Sequence, residues 1–179
     1  MTELSIETIR SRPLAAAAMT IAILGGAAIL GAWFFQYGLG LKPCPLCLEQ
    51  RYAYYLAIPL GALVALAAAR GASRPLLVIG LVIVALAALG NAGLGVYHAG
   101  VEWQWWAGPQ DCSGPLEDIG GNLRSRLESI NVVRCDEAAW RFLGLSLAGY
   151  NALVSALLAA VAASGALAEW RTWPAREPV

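Results

Sequence analysis

The chain has 179 residues, with 12 basic and 12 acidic side chains, 59% hydrophobic residues and only 13% charged ones. An ordinary soluble domain is about half apolar and a quarter charged, so this composition excludes hiding the apolar surface in one soluble core. Zero net charge and the lack of any basic block remove the electrostatic basis for nucleic-acid binding.

Four apolar runs follow in chain order: Leu14 to Phe35, Tyr52 to Ala69, Leu76 to Tyr97 and about Leu145 to Ala168, none interrupted by Asp, Glu, Lys or Arg. Each reaches the roughly 20 residues that cross a hydrocarbon core. In lipid such runs must be helices, because every backbone polar group needs a partner within the segment. A cleaved signal peptide would show a small-residue exit followed by soluble sequence; the first run has neither, and three more spans follow, so it is read as a helix. The predicted fold is a single all-α, four-span membrane bundle with outer loops at about 36–51 and 98–144. Glycines such as Gly25, Gly26, Gly31, Gly80, Gly90, Gly93 and Gly95 suit close helix approach. Pro59 inside the second span is tolerable where neighbours satisfy the freed carbonyl.

Four spans put both termini on one side. That side carries Arg10, Arg12, Arg70, Arg74, Arg171 and Arg176 within short segments. The other side carries Lys42, Arg51, Arg124, Arg126, Arg134 and Arg141 over about twice the length, with eight of the twelve acids. Basic density places the termini in the cytoplasm and the two loops in the periplasm. Trp33, Phe34, Phe35 and Tyr37, then Tyr52, Tyr54 and Tyr55, then Tyr97, Trp103, Trp105 and Trp106 mark the outer interface. Trp170 and Trp173 mark the inner one, as interfacial aromatic belts.

All four cysteines fall in the outer loops. Cys44-Pro45-Leu46-Cys47 is a C-x-x-C at the entrance to the second span, and Cys112 and Cys135 lie in the long loop. An even count on an oxidising side argues for disulfides. For Cys112 and Cys135 alone, a structural staple and a redox pair weigh equally. A tight C-x-x-C is the usual geometry of a redox dithiol. A c-type haem site needs His after the second cysteine, where Leu48 stands. A four-cysteine zinc site draws on two close pairs, which Cys112 and Cys135 do not form, so no metal is expected. Helix N-terminal placement stabilises a thiolate. Arg51 stands four residues beyond Cys47, on the same helix face, where its guanidinium lowers a thiol pKa and donates to an acceptor oxygen. In the long loop, Leu116, Ile119, Leu123, Leu127 and Ile130 recur at helical spacing, which predicts a short amphipathic helix on the membrane surface.

C-P-L-C-L-E-Q-R at residues 44–51, G-V-Y-H-A-G-V-E-W at 95–103, G-P-Q-D-C at 108–112 and C-D-E-A-A-W-R-F-L-G-L at 135–145, set between four spans, resemble the DsbB family of disulfide-bond formation proteins over essentially the whole chain. The resemblance implies an inner-membrane thiol:quinone oxidoreductase. In it, a Cys112–Cys135 disulfide accepts electrons from a periplasmic thioredoxin-like DsbA through attack on Cys112. Cys44 then resolves Cys135 through an interloop disulfide, and Cys47 faces a membrane quinone, ubiquinone or menaquinone. Arg51 matches the family arginine beside the quinone, and His98 matches a histidine that assists quinone protonation; a histidine bonded to backbone at the interface fits His98 nearly as well. Three alternatives stand beside it: a paralogue with a dedicated partner, a disulfide-stapled scaffold without activity, and a vitamin-K-epoxide-reductase-like protein. The two-plus-two cysteine layout with the F-L-G-L segment favours DsbB over the last.

Overall fold

The computed structural model describes residues 12–109 and 134–171. It contains α1 (Arg12–Trp33), which runs on into a π-helical turn (Phe34–Gly38), then α2 (Pro45–Ala69), α3 (Arg74–Glu102) and α4 (Leu147–Arg171). All four are long and apolar enough to span a membrane. Around the bundle α1 packs on α2, α2 on α3, α3 on α4 and α4 on α1, so consecutive helices are neighbours. Cys112 and the expected amphipathic helix over residues 116–130 lie outside the described residues.

The helix boundaries follow local chemistry more than hydropathy. Cys44 is the N-cap of α2; its Sγ accepts from the Cys47 backbone N–H at 3.2 Å, and Pro45 occupies the first turn, where a missing N–H costs nothing. Helix α2 therefore begins seven residues before the apolar run does, which puts Cys47, Gln50 and Arg51 on the helix itself. It continues unbroken through Pro59. The turn to α3 is short, with Gly71 at φ 74°, where a side chain would be strained. Helix α3 likewise runs past the apolar run to Glu102, so His98 is a buried helical residue and not part of the loop expected over 98–144. Before α4 stands a two-residue hairpin that the sequence did not signal: Arg141–Phe142 pairs antiparallel with Leu145–Ser146. Leu143 and Gly144 take the positive φ values of its turn.

The core is made of small residues and the lipid face of large ones. Ala18, Ala57, Ala65, Ala88, Ala162 and Ala166 are buried around Leu14, Ile21, Leu81, Val84 and Leu158, while Ile23, Leu30, Leu63, Leu86, Leu89 and Leu157 stand exposed. Where lipid is as apolar as leucine, close backbone approach and not hydrophobicity sorts residues inward. Among the glycines, Gly61 and Gly95 make that approach: a Cβ on Gly95 would lie 2.9 Å from the Ala152 backbone N, and one on Gly61 2.9 Å from the Ala18 carbonyl. Gly26, Gly31, Gly90 and Gly93 face open space instead. At the far end from the cysteines, Arg74 and the buried Glu169 tie α3 to α4 at 2.7 Å. Most of the expected belt aromatics are exposed, but Tyr54 turns inward and is only 5% exposed.

Candidate functional site

The two sulfurs of the C-x-x-C keep different company. Cys44 is buried in a small cluster with Leu46, Val101 and Cys135, against which Cys47, Leu94 and Tyr97 pack. Cys135 is disulfide-bonded and fully buried, whereas Cys44 and Cys47 are free thiols. The hairpin segment thus brings one cysteine of the long loop down onto the first cysteine of α2. Cys47, one helical turn on, lines a cavity of about 240 Å³ between α1, α2 and α4, with Arg51, Gln36, Gln50, Tyr54 and Asn151. Its remaining wall is mostly apolar and includes Ala28, Ile29, Ala32, Phe35 and Val154.

His98 sits on the Cys44 side. Its Nε2 is 3.6 Å from Cys44 Sγ, and its Nδ1 is 2.9 Å from Gln50 Nε2. The Gln50 amide N–H can only donate, so Nδ1 accepts and the proton of the neutral ring is carried on Nε2, where the Cys135 backbone carbonyl accepts it beside the Cys44 sulfur. Glu102 Oε1, one turn further along α3, is 3.9 Å from the same Nε2, beyond hydrogen-bond reach. The ring is not part of the cavity wall that holds Cys47 and Arg51. Ligand atoms of Cys44, Cys47 and His98 all lie within 4.8 Å of one another, so the histidine and the dithiol form one chemical unit.

The Cys44 thiol is held above the ordinary thiol range, first by the side-chain hydrogen bond it shares with Cys47 and then by burial. The Cys47 backbone N–H pulls the other way without reversing the shift. Ionisation at Cys44 is therefore disfavoured. Arg51 Nη1 donates to Gln36 Oε1 at 2.7 Å, so the π-helical turn that ends α1 positions the guanidinium at the cavity edge. At the outer rim, Arg134 pairs with Asp136 through two hydrogen bonds, which hold the Asp136 carboxyl below its ordinary range.

Of the residues expected from sequence, Cys44, Cys47, Arg51, His98 and Cys135 converge in one region, and Cys112 lies outside the described residues. Gln36, Gln50, Tyr54, Asn91, Asn151 and Ser155 escaped the sequence reading. Gln50 carried a usable signal, three residues past Cys47 on the same helix face; Asn91 and Asn151 carried another, as amides inside apolar runs. Gln36 carried none.

The model of the family described as "Disulfide bond formation protein DsbB" matches residues 13–165. The chain belongs to the DsbB family. It is similar to a disulfide bond formation protein B of Aromatoleum aromaticum, 33% identical over 135 residues that cover 72% of this chain and 78% of the relative. It is similar to another of Verminephrobacter eiseniae, 35% identical over 137 residues and 70% of each chain. No solved structure matches. Family membership makes the chain a disulfide-forming oxidoreductase of the membrane, and the four apolar helices are its spans.

Proposed function

We propose that this DsbB-family protein reoxidises a periplasmic thioredoxin-like dithiol partner of the DsbA kind and passes the electrons to a membrane quinone, ubiquinone or menaquinone. It does so from the bacterial inner membrane, with both termini cytoplasmic and the cysteine loops periplasmic. The observation that carries the reading is the division of labour within the C-x-x-C: Cys44 packs against Cys135, while Cys47 faces a largely apolar cavity edged by a guanidinium.

A partner thiolate attacks Cys112 of a Cys112–Cys135 disulfide and releases Cys135 as the leaving thiolate. Cys135 then joins Cys44 and displaces Cys47 from a Cys44–Cys47 disulfide. The partner's second thiolate resolves the mixed disulfide at Cys112, and Cys112 in turn releases Cys44. Two electrons and two protons have then passed from the partner's dithiol to the Cys44–Cys47 pair. A bound quinone supplies the acceptor for those two electrons and two protons. The cavity fits such a ring: apolar walls for its faces, and Arg51 as donor to an oxygen that gains charge on reduction. Cys47 is the sulfur of the pair that lines this cavity, and His98 lies beside Cys44, its Nε2 3.6 Å from Sγ.

The test is anaerobic mixing of the purified protein with reduced partner and decylubiquinone. One quinone should be reduced per partner disulfide formed, Cys47→Ser should abolish reduction, and a partner variant that keeps only its attacking cysteine should accumulate as a mixed disulfide with Cys112, because it has no second thiol to resolve the bond. Full quinone reduction by Cys47→Ser, or a partner adduct mapped to Cys47, would overturn the relay.

A further inference from the structure

The segment that carries Cys135 has no regular structure of its own: residues 134–140 form neither helix nor strand. The place of the sulfur is therefore set by contacts with the rest of the molecule, and the last turn of α3 supplies them. His98 Nε2 donates to the Cys135 backbone carbonyl. Glu102, four residues on and on the same helix face, accepts the Ser146 hydroxyl on its carboxyl. Ser146 Oγ itself accepts from the Gly149 backbone N–H at 3.2 Å, which leaves its own hydrogen for that bond. Arg141 Nη2 reaches the Glu102 backbone carbonyl at 3.5 Å. The Glu102 side chain is only 5% exposed, and its Oε2 is buried with no partner among the described residues. Burying a carboxyl costs free energy unless its bonds repay it, and the relay gives this one no task.

We propose that Glu102 is a positioning residue for Cys135: by holding Ser146 it seats the hairpin on α3 and keeps the Cys135 sulfur within bonding reach of Cys44. The inference rests on the exchange described above, in which the Cys135 thiolate forms a bond to Cys44 while the Cys44–Cys47 bond breaks and Cys47 leaves as thiolate. A disulfide needs Cα atoms about 4.4–6.8 Å apart, so a segment free to lift from α3 spends little time in range. Held at the Cys135 carbonyl and again at Ser146, it presents its sulfur to Cys44 at a high local concentration. Cys44, Leu46, Val101 and Cys135 already form one buried cluster there. Glu102 is not part of the cavity wall that holds Cys47 and Arg51, so it serves exchange between disulfides and not quinone reduction.

Redox equilibrium with glutathione tests this in a Cys47→Ser, Cys112→Ser background, where only Cys44 and Cys135 can pair and neither quinone nor partner is needed. The equilibrium constant gives the effective concentration of one sulfur at the other. Glu102→Leu should lower it about tenfold, the factor commanded by one buried hydrogen bond, and Ser146→Ala should lower it comparably. Glu102→Gln loses the charge but keeps an acceptor for Ser146, and should stay close to the parent. Glu102→Leu added to Ser146→Ala should cost nothing further. Anaerobic reduction of decylubiquinone by the dithiol in a Cys112→Ser, Cys135→Ser background should be no slower with Glu102→Leu than without it. An unchanged effective concentration in Glu102→Leu and Ser146→Ala, equal losses in Glu102→Gln and Glu102→Leu, additive losses in the double variant, or slowed quinone reduction would each overturn the assignment. Failure of the parent dithiol to reduce quinone overturns the quinone reading and leaves the glutathione result to decide the role of Glu102.

Discussion

Gln36 is expected to act on turnover entirely through Arg51. The guanidinium makes a charge-assisted bond to Gln36 Oε1 at 2.7 Å, and both side chains are partly buried at the cavity edge. A hydrogen bond to a charged group contributes about 1.5–3 kcal/mol when buried; with partial exposure, about 1 kcal/mol is the expected worth here. Gln36→Leu should therefore slow quinone reduction about fivefold, since each 1.36 kcal/mol is tenfold in rate. Arg51→Ala removes the donor to the oxygen that develops charge, and should cost about 10²-fold, the low end for losing such a donor in a site open on one side. Arg51→Lys should recover only part of that loss, because an ammonium lacks the planar fork. The double variant decides the argument. If Gln36 only orients Arg51, Gln36→Leu in the Arg51→Ala background costs nothing further. Single-turnover absorbance traces of decylubiquinone mixed anaerobically with the four variants in their reduced state measure all the rates. Additive losses in the double variant, or a wild-type rate in Arg51→Ala, would refute the reasoning; in the latter case the arginine is an interfacial anchor.

The raised pKa of Cys44 gives a pH prediction: iodoacetamide should label Cys44 in the reduced protein more slowly than an ordinary thiol of pKa 9.0, and Cys47→Ser, which removes the largest cause, should speed labelling of Cys44. Because the folded-state value is raised, the associated stability is fully present below about pH 9 and is lost as pH rises above it, which thermal unfolding of the reduced protein between pH 7 and 10 would show. A labelling rate for Cys44 equal to that of an ordinary thiol would refute the raised value. Gly95→Ala sets a methyl against the Ala152 backbone, which cannot rotate away, so it should cost about 1–3 kcal/mol by forcing α3 from α4. Gly26→Ala, facing open space, should be neutral within about 0.5 kcal/mol; detergent unfolding of the two variants compares them, and equal stability would mean the α3–α4 crossing is loose.

The four spans and the redox-type dithiol are legible from local sequence alone. Hydropathy runs near 20 residues admit only helices in lipid, and C-x-x-C with an arginine one turn later can be read without coordinates because both features are local along one helix. Tertiary structure decided what each of those residues faces. Hydropathy could not show that α2 starts at Pro45, since that boundary comes from a cysteine cap and a first-turn proline and not from apolarity. Nor could it show that His98 lies against Cys44, that Gln36 holds Arg51, or that Tyr54 leaves the interfacial belt for a network with Asn91, Asn151 and Ser155. Those partners are separated by 15 to 101 positions in the chain. Their meeting depends on which face each helix turns inward, and in helices apolar on every side that choice is made by close contact at positions such as Gly61 and Gly95 and not by any periodicity of the sequence.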